Sequence, residues 1–211
     1  MTTKLFLIRH GETQANLEQR YQGQGNSALS ELGIREAKDL AAALKSEAFS
    51  AVYSSDLVRS LETAKIIARE HKLTPTALPG LKERFYGKWE GLTFDEIKKK
   101  YAKTYESWLE APAKTKIPGA ETLEELQQRG VRAVEQIIKR NEDKTVCVVG
   151  HGGLNRVILF HYMNLDLNNF WRIRQDNCCI NIIEFSNIPS VMLLNSTWFL
   201  GEKRMKGSGY Y

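Results

Sequence analysis

The chain has 211 residues, 42% hydrophobic and 26% charged, which is the composition of a globular domain long enough to bury about 70% of the surface its unfolded form exposes. Its formal net charge of +5 and pI of about 9.0 permit anionic partners without naming one. No apolar run nears the roughly 20 residues of a membrane span, and the first one stops at Arg9 and His10 with no small-residue cleavage site, so one cytoplasmic domain over residues 1–211, without a membrane partner, is expected.

Lys4 to Ile8 is a continuous apolar run, the mark of a strand covered on both faces. Ser30 is placed to cap a helix from about Glu31 to Leu44, with Leu32, Ala37, Leu40, Ala41 and Leu44 on one side. Ala51 to Tyr53 is a short strand. Ser54, Ser55 and Asp56 then offer caps for a helix through about Glu70, with Leu57, Leu61, Ala64, Ile67 and Ala68 at helical spacing. Phe94 to Ile97 reads as helical, and Lys98 to Lys100 behind it as a solvated face. Neither aromatics nor glycines interleave that cationic run, so no nucleic-acid partner is expected.

Residues of about 88–120 form a helical or loop insertion whose fold the pattern does not place. Trp89, Phe94, Tyr105 and Trp108 within it are divided between core and pocket lining. Glu121-Thr122-Leu123 opens an amphipathic helix to about Arg140. Thr145 to Val149 is a second buried strand, Gly153 to about Tyr162 a helix, and Ile180 to Phe185 and Val191 to Leu194 late strands at an antiparallel edge. Gly201 to Tyr211 reads as a tail or a cover for a site. The alternation predicts an α/β fold in three layers, α/β/α, around a mostly parallel sheet. Cys147, Cys178 and Cys179 fit neither a disulfide framework nor a CxxC zinc spacing and are expected to be buried or half-buried free thiols.

Two of the four histidines occupy matching places. His10 and Gly11 follow the first buried strand, and His151, Gly152 and Gly153 follow the second. In open α/β sheets ligands bind beyond the carboxyl ends of the strands, and a glycine there lets backbone approach a ligand closely. Arg9 precedes His10, and Arg59 lies in the first turns of a helix. The guanidinium fork matches phosphate oxygens, and a helix N-terminus adds free N–H groups. Taken alone, Glu83 between Lys82 and Arg84 reads as a surface salt-bridge residue, and His71 and His161 as surface or packing residues.

Leu7-Ile8-Arg9-His10-Gly11-Glu12-Thr13 resembles the signature of the histidine phosphatase superfamily, the phosphoglycerate-mutase-like proteins. Asn16 with Tyr21-Gln22-Gly23, Leu29 to Gly33, Tyr53 to Ala64, Glu83 to Gly91 and Val148 to Gly153 resemble its further motifs in family order. The resemblance implies that His10 attacks phosphorus in line to form a phosphohistidine, its other ring nitrogen held by an acceptor. It implies that Arg9, Arg59 and His151 surround the transferring group, so that fixed cations replace a metal and no cofactor is needed. Glu83 would protonate the leaving oxygen and then take a proton from the attacking water, a double role that calls for a raised carboxyl pKa. Asn16 and Gln22 would add neutral donors, Gly23 would supply a backbone N–H, and Gly152 is a further substrate-binding position.

The same site serves hydrolases and mutases. Residues 105–112 contain no arginine, where the resembled mutases carry an arginine pair, and Tyr86-Gly87-Lys88-Trp89-Glu90-Gly91 is similar to the phosphatase form. A small-molecule phosphomonoesterase is expected, with cofactor-dependent phosphoglycerate mutase and a non-catalytic phosphate-binding module as alternatives. The compact length and Asn177-Cys178-Cys179-Ile180 resemble the α-ribazole phosphatase and broad-specificity branch, which points first to α-ribazole-5'-phosphate, from cobalamin biosynthesis. Asn155 either faces the substrate or is a helix-face residue. Oligomeric state is not legible, a homodimer being one open assembly.

Overall fold

The structure, a computed structural model, describes residues 2–201. Six strands form one sheet: β1 (Thr3–Arg9), β2 (Phe49–Ser54), β3 (Thr76–Ala77), β4 (Thr145–Gly150), β5 (Ile180–Phe185) and β6 (Ser190–Ser196), in the order β3-β2-β4-β1-β5-β6. Pairings β3-β2, β2-β4 and β4-β1 are parallel, and β1-β5 and β5-β6 antiparallel. Of the two late strands only β6 is an edge, because β5 pairs with β1 on its other side.

Alternation along the strands builds two separate cores. Phe6, Ile8, Val52, Cys147 and Val149 meet Ala37 and Leu40 of α2 (Glu31–Ala43) and Ala64 and Ile67 of α3 (Val58–Glu70). Leu5, Leu7, Val146 and Val148 on the opposite face meet Leu126 and Val134 of α6 (Leu123–Arg140) and Leu154 and Ile158 of α7 (Gly152–Tyr162). The fold is therefore α/β/α, with both faces of β1 and β4 covered. The remaining helices are α1 (Gln14–Leu17), α4 (Phe94–Lys100) and α5 (Ala102–Glu110). Among the described residues, no helix is long and apolar enough to cross a membrane.

Local chemistry sets the boundaries. Ser30 accepts from Gly33 N–H at the start of α2, and Thr122 with Glu125 forms a capping box for α6. At α3 the expected caps fail. Leu57 takes the extended N-cap conformation, so the helix begins at Val58 without a side-chain cap, and Ser55 Oγ instead accepts from Leu57 N–H at 3.1 Å. β3 has two residues, too short for any alternation to show.

The unplaced insertion folds as α4 and α5. Trp89, packed against Tyr101 and Tyr105, and Trp108 of α5 itself are fully buried. Trp108 Nε1 donates to Tyr21 Oη at 3.2 Å, and the Arg84 guanidinium stacks 4.4 Å over the Trp108 ring. All three cysteines are buried thiols outside any disulfide. Most of the Gly201 to Tyr211 segment lies outside the described residues.

Candidate active site

Strand register brings the two histidines together. Ile8 pairs with Val149 and Arg9 with Gly150, so β1 and β4 end level. His10 and His151 leave the sheet side by side, their ring centroids 5.2 Å apart. A cavity opens at this edge, lined among others by Arg9, His10, Asn16, Gln22, Gly23, Arg59, Glu83 and Gly152. Eight of the nine residues singled out from sequence therefore share one wall. His151, the ninth, is fully buried beside His10 and does not line the cavity.

Two contacts fix the protonation pattern of His10. Its Nδ1 lies 2.7 Å from the Gly11 carbonyl, which only accepts, so Nδ1 carries the proton. Arg59 Nε donates to His10 Nε2 at 3.2 Å, so Nε2 presents its lone pair on the cavity side. The charge balance agrees. Burial first, then the Arg59 and Arg9 cations, hold the imidazole well below the usual histidine range, against an opposing effect of the Gly11 hydrogen bond. His10 is thus a neutral imidazole with an available nucleophilic nitrogen at neutral pH. Burial, followed by Arg59 and His10, also keeps His151 well below its usual range. Neither of the His151 ring nitrogens has a partner among the described residues.

The arginines are held by backbone. Arg59 Nη1 donates to Gly25 O at 2.8 Å and Nη2 to Gly23 O at 2.7 Å. Gly23 thus offers its carbonyl to an arginine; a left-handed φ of 51° and the Glu90 carboxylate, which any Cβ would strike, require glycine there. Burial lowers Arg59 to about 10, which leaves it charged at neutral pH. Arg9 Nη1 donates to Gln175 O. The Gln175 and Asn181 carboxamides exchange two hydrogen bonds of 2.8 Å, and Asn181 Nδ2 also donates to Leu7 O at 2.9 Å. Asn177 Nδ2 donates to His10 O at 3.1 Å.

Glu83 departs furthest from its isolated reading. It is buried and in no ion pair with a described residue, and its carboxylate accepts from Gly153 N at 2.9 Å, Leu154 N at 3.0 Å and Arg84 N at 2.8 Å. The first two donors are free amides at the start of α7, a site for negative charge. Arg129 braces the segment from α6, donating to Lys82 O at 2.7 Å and Glu83 O at 2.8 Å while paired with Glu121 at 2.6 Å. Asn16 Oδ1 accepts from Thr13 N at 3.1 Å, and Gln22 Oε1 is buried without a partner among the described residues. Asn155 does not face the cavity; it is fully buried behind Gly150.

Sequence reasoning did not single out several wall residues: Tyr21, Tyr86, Leu109, Arg156 and Trp171. Phe94 and Tyr105 of the insertion line the cavity too, whereas Trp89 and Trp108 are core. Among the described residues, no group of three or more His, Cys, Asp or Glu side chains is arranged to hold a metal ion. The arrangement offers a neutral imidazole, the guanidinium groups of Arg9 and Arg59 beside it, and a carboxyl group across one cavity, which Arg20 and Arg156 also line.

A family model described as histidine phosphatase superfamily (branch 1) matches residues 5–195. Phosphoserine phosphatase 1 of Hydrogenobacter thermophilus is 35% identical over 200 residues, covering 94% of this chain and 95% of its own. The adenosylcobalamin/alpha-ribazole phosphatase of Escherichia coli is 27% identical, covering 92% and 96%. Among solved structures, Bacillus stearothermophilus YhfR superposes with a TM-score of 0.90 at 30% identity, covering 94% of this chain and all of its own.

Proposed function

Because the chain belongs to the histidine phosphatase superfamily, we propose that it hydrolyses small-molecule phosphomonoesters through a phosphohistidine on His10, without a metal. The observation that carries this reading is the pair of contacts that protonate Nδ1 and aim the Nε2 lone pair into a cavity holding Arg9, Arg59 and Glu83.

The steps balance on these residues. His10 Nε2 attacks phosphorus as the bond to the ester oxygen breaks, and Glu83, having taken a proton from solvent as the anionic phosphate settles beside its carboxylate, gives that proton to the ester oxygen. Arg9 and Arg59 meet the charge spread over the equatorial oxygens. His151, beside His10 with both ring nitrogens unpartnered, is a further group for that charge. Water then attacks the phosphohistidine, Glu83 takes a water proton, the P–N bond breaks and inorganic phosphate leaves.

For the substrate, phosphoserine stands ahead of α-ribazole-5'-phosphate because the relative named for it is 35% identical, against 27%. The Asn177-Cys178-Cys179 segment does not discriminate, since Asn177 serves the His10 backbone and both cysteines are buried. The α-ribazole reading keeps the support of the Escherichia coli relative and of the cavity's aromatic residues, Tyr21, Tyr86, Phe94, Tyr105 and Trp171.

Trapping tests the mechanism. Turnover of a phosphate-labelled substrate, quenched in alkali, is expected to leave label on His10, and acid quenching to remove it. His10→Ala should lose at least about a thousandfold in kcat. Acid-stable label, or wild-type rates in His10→Ala, would overturn the reading. Conversion of 3-phosphoglycerate to 2-phosphoglycerate faster than phosphate release would make the chain a mutase.

A further inference from the structure

Arg156 is a cation the phosphoryl site does not use. It sits on α7 one turn past Gly152 and Gly153 and lines the cavity with them. Its Nε donates to Ile173 O at 2.7 Å, and its guanidinium lies 5.0 Å from the Phe170 ring centre and 5.3 Å from that of Trp171. These contacts engage Nε and set the guanidinium beside two aromatic rings. The two terminal nitrogens donate to no described residue, and no described carboxylate pairs with Arg156. The other arginines nearby are engaged: Arg20 pairs with Glu18 at 2.7 Å, Arg129 with Glu121 at 2.6 Å, and Arg84 is packed in the aromatic core.

Arg156 is half-buried, and a guanidinium partly stripped of water without a counter-ion is costly. Burial lowers Arg156 to about 10, with Arg9 adding to the effect, and Tyr86 and Glu83 acting against it. Arg156 therefore stays charged at neutral pH, close enough to Glu83 to sense its charge. Glu83 delivers the proton to the leaving group, so the unused edge of Arg156 belongs to the leaving-group side.

We infer that Arg156 is a specificity-determining residue that binds a carboxylate on the leaving group, which directs the enzyme to phosphorylated hydroxy or amino acids. A planar carboxylate fits two parallel N–H donors, and Phe170 and Trp171 keep the fork fixed. A ribazole phosphate, whose leaving group lacks a carboxylate, would leave that edge unmet.

This inference rests on the phosphomonoesterase reading, and the test separates the two. Wild type, Arg156→Gln and Arg156→Lys are assayed on O-phosphoserine, on phosphoethanolamine, which lacks only the carboxylate, and on p-nitrophenyl phosphate. Wild type should favour phosphoserine over phosphoethanolamine by about a hundredfold in kcat/KM, a comparison that needs no variant to fold. Arg156→Gln should lower kcat/KM for phosphoserine at least about tenfold more than for phosphoethanolamine, and Arg156→Lys, lacking the fork, should restore part of the preference. Equal losses on both substrates, or a wild type that hydrolyses p-nitrophenyl phosphate without preferring phosphoserine, overturn the carboxylate subsite alone. A wild type that hydrolyses none of the three overturns the phosphomonoesterase reading.

Discussion

His10 and His151 should make stability fall in mild acid. Both are buried and both are held well below the usual histidine range by desolvation and neighbouring cations. Below a pH of about 6.5 the unfolded chain binds two protons that the folded chain refuses, so stability rises with pH across that window and is independent of these groups above it. At about pH 5.5 each histidine is roughly 90% protonated when unfolded, which costs the native state about 1 kcal/mol apiece, or between about 2 and 3 for the pair, relative to about pH 7.5. For a domain of this size that lowers Tm by roughly 5–10 °C. The assay is thermal unfolding at both pH values, in phosphate-free buffer, for wild type and for the His10→Gln/His151→Gln variant. Carboxylates and His71 titrate alike in both proteins, so the difference between the two pH-induced drops isolates the pair. An equal drop in both would refute the assignment of neutral, desolvated imidazoles.

Three further outcomes follow from the site. Glu83→Gln should slow phosphoserine hydrolysis about a hundredfold or more and p-nitrophenyl phosphate hydrolysis far less, because a good leaving group needs little protonation; equal slowing on both would remove Glu83 from the acid role. In Gly153→Ala the new Cβ would lie 2.6 Å from Glu83 Oε1, whereas in Gly152→Ala it would meet nothing closer than Arg9 Nε at 3.4 Å. Gly153→Ala should therefore reproduce the leaving-group dependence of Glu83→Gln, and Gly152→Ala should cost less, as kcat on the two substrates will show. Hydrolysis of p-nitrophenyl phosphate should continue in excess EDTA, since in the proposed mechanism Arg9 and Arg59 would supply the charge a metal brings elsewhere; inhibition reversed by magnesium would count against the mechanism.

The parts of the site legible in sequence are those where side-chain type itself is required. A strand covered on both faces must be apolar throughout, so β1 and β4 announced themselves and marked His10 and His151 at their ends. Contacts made through backbone carbonyls leave no such trace. Gly11 O on His10, Gly23 O on Arg59 and Gln175 O on Arg9 are main-chain groups that every residue carries, so no side-chain type marks them as partners. Arg129 and Arg156 were silent for another reason: each sits in a helix where an arginine ordinarily reads as solvent-facing, and only tertiary packing turns it inward. The Ser54-Ser55-Asp56 expectation erred because a run of cap-forming residues does not say which position takes the extended backbone, and Leu57 took it.

In the proposed mechanism Arg59 holds the very lone pair that would attack, which at first looks self-defeating. A guanidinium has five N–H donors, and three are spent here, on His10 Nε2, Gly25 O and Gly23 O. One N–H on each terminal nitrogen remains for phosphate oxygens, so the arginine need not leave its anchors to bind substrate. Only the Nε contact has to yield when phosphorus reaches Nε2, and a neutral imidazole is a weaker acceptor than the phosphate oxygens arriving beside it. The same contact that keeps Nε2 unprotonated in the free protein is therefore the one substrate displaces. Gly25 and Gly23 hold the rest of the fork still while that exchange happens.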